Sequence, residues 1–288
     1  MGDYLLDLLT QWALFATAAT VVAVLAEEAG VIHAGAAAFL GIGAYAAALL
    51  STRYGVAQPV ALLGAALAGL VAGNLCHVLL GRFRKDVLAL ATLAVGVVVH
   101  GLMINAEPVT GGVMGIAGVP RYRGLTASAS LDATVLLAAL IAAIALTRNT
   151  TFGKRTRAVR DDEVLAAELE LRPGRIRWSL WVASSAVLAL VGGMYAFHLR
   201  YVDPSSFTVR ESVAILAMAV MVPSPRAFGA TIGAFVFIAL PEALRFLGLP
   251  SGTGAEVRQI VFGVALLVVV ARSGEGRLGL FARKQRYA

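Results

Sequence analysis

Long apolar runs divided by short polar breaks organise this chain. Stretches able to cross about 30 Å of hydrocarbon as helices fall at 8–26, 31–50, 57–80, 87–105, 131–147, 178–199, 209–222, 227–247 and 257–271. The pattern predicts an all-α polytopic membrane protein with roughly 8–10 transmembrane helices. The 209–222 run is short for a span, so it is expected to be tilted, broken or continuous with its neighbour. One long polar interruption stands out, Phe152–Arg177, FGKRTRAVRDDEVLAAELELRPGRIR, with seven basic and five acidic residues. A segment so charged belongs in water, as a loop or short helices between spans.

Composition narrows the class. Of 288 residues, 59% are hydrophobic and 14% charged, against about 25% charged in soluble domains. An ordinary soluble domain is excluded, and the chain reads as a single membrane domain, 1–288, with 148–177 as a cytoplasmic loop within it. If all nine runs cross with the N-terminus outside, 17 of the 24 basic residues lie inside and 7 outside, the distribution the positive-inside rule favours. The net charge of +7 therefore points to anionic lipid and not to nucleic acid. No Lys or Arg precedes Arg53, so no cleavable signal peptide is expected. The single Cys76 lies in an apolar run, where a buried, inert thiol is expected.

Candidate chemistry is sparse. His33, His77, His100 and His198 have no partner at helical spacing, which argues against a metal site. No catalytic dyad is visible, and the glycines from Gly248 to Gly254 lack the following Lys of a phosphate loop. The chain is thus expected to be no enzyme and to bind no cofactor itself. Polar groups in or beside the runs are Asn74, Thr92, His100, Asn105, Glu107, Glu211 and Glu242. Asn74, Thr92 and His100 fall deepest and are expected to bond helix to helix. Glycines at 35, 41, 43, 64, 69, 73, 192, 193, 229 and 233 either allow close helix packing or thin the wall of a solute path. The glycine-rich stretch 105–123 is an ordinary external loop or, through Thr110, Gly111 and Gly112, a border of that path. Ile42-Gly43-Ala44-Tyr45 and Ile232-Gly233-Ala234-Phe235 form a weak internal echo.

Several segments, in order, resemble one family. They are GAAAFLGIGAYAAALL from Gly35, LATLAVG from Leu90, Thr110-Gly111-Gly112 with Gly115-Ile116 and Gly118-Val119-Pro120, RAVRDDE from Arg157, and YVDPSSF from Tyr201 with Ser212. Together they are similar to the permeases of branched-chain amino-acid ABC importers (LivH/LivM type). That resemblance implies an inner-membrane subunit importing branched-chain or other small amino acids, urea or amides. Its implied partners are a second, different permease, two cytoplasmic ATPase subunits that hold ATP and Mg, and an extracytoplasmic binding protein.

By the same resemblance, Arg157, Ala158, Arg160, Asp161, Glu163, Leu165 and Leu169 form the ATPase-coupling surface. Gly41, Gly43, Tyr45 and Thr92 join Thr110, Gly111 and Gly112 on the solute path. Ala158, Leu165 and Leu169 are spaced to share one face of a short helix, which would dock on an ATPase or lie on lipid headgroups. Three positions depart from the family: Glu170 and Leu190 stand where Gly is usual, and Pro223–Arg226 replaces a glycine-rich turn. Two other classes remain, an ATPase-independent channel or secondary transporter, and a membrane scaffold built on the permease fold.

Overall fold

The computed structural model describes residues 2–81, 83, 85–122, 128–148, 150–222, 226–245 and 263–264, and eleven α-helices carry nearly all of them. Helix α1 (Gly2–Val24) runs on into a π-helical turn, Leu25–Ala29, and stops at Gly30, whose φ of 63° is left-handed. Residues 30–35 cross without regular helix to α2 (Ala36–Thr52). α3 (Gln58–Leu80) opens with Pro59, at a position where a missing N–H leaves no helical bond unmade. α4 (Lys85–Asn105) and the single turn α5 (Glu107–Thr110) lead to strand β1 (Ile116–Ala117). α6 (Ala129–Arg148) precedes two short polar helices, α7 (Thr151–Asp161) and α8 (Glu163–Glu168). α9 (Pro173–Leu199), strand β2 (Tyr201–Val202), α10 (Val209–Met221) and α11 (Arg226–Arg245) complete the described chain.

The helices run up and down between two ends. At one end α7 packs on the π-helical turn that finishes α1, and Trp178 near the start of α9 donates to Asn74 near the finish of α3, at 2.9 Å. At the other, Arg53 after α2 donates to the Pro108 carbonyl at 2.6 Å, and Gln58 donates to the Arg121 carbonyl. There β1 and β2 pair antiparallel, Ile116 opposite Val202 and Ala117 opposite Tyr201.

Among the described residues five helices are long and apolar enough to cross a membrane: Tyr4–Ala29, Gln58–Leu80, Val87–Asn105, Ala129–Thr147 and Pro173–Leu199. Two expected spans are shorter than drawn. The 31–50 run becomes helical only at Ala36, because Gly30 closes the preceding helix and the chain turns back through 30–35. The 209–222 run is helical over Val209–Met221, and its 13 residues rise about 20 Å at 1.5 Å each; a 3-10 turn, Pro204–Phe207, precedes it. Asp203 caps that turn, accepting from the Ser206 N–H at 2.9 Å. Both Pro204 and Phe207 are buried. Apart from 263–264, the 257–271 run lies outside the described residues, as do Pro223–Pro225 and Gly248–Gly254.

Packing inverts the order of a soluble protein. On α3 the buried positions are small, Ala61, Ala65, Gly69, Gly73 and Cys76, while Leu63, Leu67, Val71, Leu75 and Leu79 point outward. Lipid tails are as apolar as leucine, so helices associate through small residues that admit close backbone approach. α9 lies between α2 and α3 by this means. A Cβ on Gly43 would stand 1.8 Å from the Ala189 carbonyl oxygen, and one on Gly192 would stand 1.8 Å from that of Leu40. Each helix thus offers a glycine to the other's backbone. Gly69 and Gly73 of α3 meet α9 at Ser185, and Gly69 also meets Ala189. Leu190, where glycine was expected, is only partly buried and leaves these contacts to its neighbours.

Candidate functional site

The polar interruption forms two helices, not one. Thr150 caps α7, its hydroxyl accepting from the Gly153 N–H at 3.3 Å. Asp162 then turns extended (φ −149°, ψ 111°) and caps α8, accepting from the N–H groups of Val164 at 2.9 Å and Leu165 at 3.1 Å. A side chain that satisfies free N–H groups starts a new helix. The expected common face of Ala158, Leu165 and Leu169 therefore does not exist. Ala158 is on α7, Leu165 on α8, and Leu169 lies just past the end of α8.

The two helices have different roles in the structure. α7 faces inward with Gly153, Thr156 and Val159 buried. The Thr156 hydroxyl donates toward Glu28 at 3.2 Å, and the Arg160 guanidinium donates to the Glu27 carbonyl at 3.0 Å. Arg160 also pairs with Asp161 at 2.9 Å, while Arg157 and Ala158 are half-buried. α8 faces outward, with only Ala166 buried. Val164, Leu165 and Leu169 stand 71%, 54% and 64% exposed among charged neighbours. Glu163 reaches back to Arg177 at the foot of α9 through two bonds, 2.8 and 2.6 Å. Such an exposed pair adds little stability, but its fork geometry fixes the angle of α8.

α8 ends in a Schellman motif. The Leu171 N–H bonds the Ala166 carbonyl at 3.1 Å, the Glu170 N–H bonds that of Ala167 at 3.0 Å, and Glu170 takes φ 60°. This position favours glycine, and the chain holds the left-handed turn with Glu instead. Glu170→Gly is expected to retain the turn and to stabilise slightly, by less than about 1 kcal/mol, because relief of strain exceeds the added freedom of the unfolded chain. Glu170→Val should destabilise by about 1 kcal/mol or more. Thermal unfolding in detergent should rank Gly first, Glu second and Val last.

The seven residues assigned to a solute path do not converge. Gly43 is enclosed in the α2–α9 contact and has no free space beside it. Thr92 sits near the 30–35 connection, its hydroxyl accepting from the Ala34 N–H at 3.2 Å and donating to the Ala89 carbonyl at 2.8 Å. Thr110, Gly111 and Gly112 form a tight turn at the far end. The Thr110 hydroxyl accepts from the Gly112 N–H at 3.2 Å, and both glycines have positive φ. Nearby, the Tyr122 hydroxyl donates to Asp132 at 3.0 Å, and burial, helped by that carboxylate, raises the phenol's pKa. Gly41 and Tyr45 alone come together, around Phe207. The Tyr45 hydroxyl is buried with no hydrogen-bond partner among the described residues.

Beside them lies a narrow recess lined by Phe15, Leu40, Tyr195, Phe207 and Glu211. The Tyr195 ring stands edge-on to both Phe15, at 6.1 Å, and Phe207, at 6.2 Å. Positions so distant in sequence carry no local motif, so the recess was not legible from the pattern of residues. Among the described residues no group of three His, Cys, Asp or Glu side chains could hold a metal ion.

A family model described as "Branched-chain amino acid transport system / permease component" matches residues 4–270. The High-affinity branched-chain amino acid transport system permease protein LivM of Escherichia coli (strain K12) is 29% identical over 245 residues, covering 75% of this chain and 58% of LivM. The chain thus spans less than two thirds of that relative's length. The Autoinducer 2 import system permease protein LsrC of Escherichia coli O157:H7 is 28% identical over 248 residues, covering 81% of this chain and 69% of LsrC. No solved structure matches. With the family match running over nearly the whole helical bundle, the chain belongs to the branched-chain amino acid transport system permease component family.

Proposed function

We propose that the chain is the permease subunit of an ATP-binding-cassette importer in the inner membrane, moving branched-chain or other small amino acids, or urea and short amides. In this reading residues 1–288 act as one permease domain and pair with a second permease chain. The α7–α8 end is cytoplasmic, as the excess of basic residues there favours. Two cytoplasmic ATPase subunits bind at that end and hold ATP and Mg, while a binding protein delivers solute at the opposite end.

The observation that carries the reading is α8. Val164 and Leu165 on α8, with Leu169 just past its end, are exposed apolar side chains, and α8 is tied to the bundle by Glu163–Arg177 and by α7. Apolar side chains ringed by charge are suited to filling a groove on a soluble partner. Arg160 is assigned to anchoring α7 instead of touching the partner, since its guanidinium is engaged with Glu27 and Asp161. Gly41 and Tyr45 are assigned to the solute path beside Phe207, where the Tyr45 hydroxyl offers an unused polar contact.

Reconstitution into liposomes with candidate ATPase subunits, a second permease chain and a binding protein tests the reading. Uptake of a branched-chain amino acid is expected only when ATP, both ATPases and the binding protein are present. Uptake by the permease chains alone would favour a channel or secondary transporter and sink the proposal.

A further inference from the structure

The segment 25–35 is a place where both sides of the α7–α8 loop meet the bundle. On the incoming side α7 holds the π-helical turn, through Thr156 to the Glu28 carboxylate and Arg160 to the Glu27 carbonyl. On the outgoing side, the Trp181 ring in α9 lies flat on His33, with centroids 4.4 Å apart and planes 4° from parallel. His33 is completely buried, and neither its ring nitrogens nor the Trp181 N–H has a partner among the described residues. The stack is therefore a contact of faces, able to slide without breaking hydrogen bonds. Beyond His33, Thr92 of α4 accepts from the Ala34 N–H, and Gly35 packs on the Thr92 carbonyl.

The same segment departs from regular helix. Its first half is a π-helical turn, its midpoint is the left-handed Gly30, and its second half has no regular structure before Gly35. Interruptions of this kind are frequent at functional sites and absorb changes of backbone angle between rigid helices. Glu28 is a buried carboxylate there, 8% exposed, and Thr156 shares its single proton between that carboxylate and the Gly153 carbonyl at 2.9 Å.

We infer that residues 25–35 are the hinge through which movement of the α7–α8 loop reaches α1 and α2, and that Thr156 and Glu28 are its coupling residues. The inference rests on the importer reading above and deepens it. A push on α8 moves α7 as a lever, because the single capping residue Asp162 leaves little slack between them. Thr156 passes that displacement to the end of α1, the π-helical turn yields, and α2 follows through the connection ending at Gly35. Neither residue touches solute or ATPase; both act by position.

The test compares Thr156→Val with Thr156→Ser in the reconstituted complex, measuring ATPase retention and solute imported per ATP hydrolysed. Valine keeps the shape and removes the hydroxyl, whereas serine keeps the hydroxyl. ATPase retention is expected to match wild type in both. Import per ATP should fall at least about tenfold in Thr156→Val, the scale of one lost hydrogen bond to a charged group, and recover in Thr156→Ser.

If Thr156→Val does not fold, Glu28→Gln serves, keeping an uncharged acceptor of the same shape, with an expected fall of at least about twofold. Wild-type coupling in either Thr156→Val or Glu28→Gln overturns the inference. So does loss of ATPase from Thr156→Val, which would make Thr156 part of the docking surface, or failure of serine to rescue. A wild-type chain that retains no ATPase overturns the importer reading itself, and the inference with it, before any variant is made.

Discussion

Val164→Asp combined with Leu165→Asp is expected to strip the ATPase subunits from the chain while leaving the helical bundle intact. Both side chains are more than half exposed and make no contact that the bundle needs. In a docked groove each would stabilise the complex by about 1.5–3 kcal/mol, and a carboxylate placed there without a partner would add a further penalty. At about 1.4 kcal/mol per factor of ten, the pair should weaken association at least about a hundredfold. Co-purification reads the loss, and an unchanged unfolding midpoint shows that the fold survives. Charge reversal at Arg157 and Arg160 is a poorer probe. Arg160 holds α7 on the end of α1 and Arg157 is half-buried, so reversal would disturb the platform as well as any partner. ATPase retained by the double α8 variant would place the docking surface elsewhere.

Gly192→Val should be among the most damaging single changes in the membrane core. Even the first added carbon would stand 1.8 Å from the Leu40 carbonyl oxygen and 2.8 Å from the Leu40 Cα, where non-bonded carbons need about 3.5–4.0 Å. Both neighbours are backbone, so no side-chain rotation relieves the clash, and α9 must move away from α2. That shift would also loosen Gly43 on Ala189, because the two contacts belong to one crossing. Overpacking costs about 1–3 kcal/mol when side chains can adjust, and more is expected here. Gly101→Ala is the matched control, with nothing within 4 Å of its added carbon and up to about 1 kcal/mol to gain in helix propensity. Thermal unfolding in detergent should lower the midpoint sharply for Gly192→Val and hold or raise it for Gly101→Ala. An unchanged midpoint in Gly192→Val would mean that the α2–α9 contact is not built on this glycine.

Much of this architecture is written in local pattern. Apolar runs gave the helices, because a chain in lipid must bond its own backbone and helix is the simplest way to do so. Tight packing was legible in the glycines at 43, 69, 73 and 192, since small residues inside a long apolar run have few other uses. The break between α7 and α8 was readable too. Asp162 followed by Glu163 is a helix-start signal, and it outweighs the apolar spacing that runs across it.

The rest depends on pairs far apart in the chain. Thr156 and Glu28 are separated by 128 positions, and nothing around either residue points to the other. The recess of Phe15, Tyr195, Phe207 and Glu211 likewise draws on three remote segments. The scattering of Thr92, Gly43 and Thr110 to different places has the same origin. Membership of one motif set says nothing of which helix face each residue takes.

The most direct test of the docking claim uses the chain's own lack of reactive thiols. Cys76 is its single cysteine and is buried, so Leu165→Cys and Met114→Cys each add one exposed sulfur, at opposite ends of the bundle. Each variant is assembled with the ATPase subunits and treated with a short thiol-to-amine cross-linker. The account predicts a permease–ATPase adduct from position 165 and none from position 114. An adduct from 114, or an unlinked chain at 165 in a complex that still imports, would contradict it.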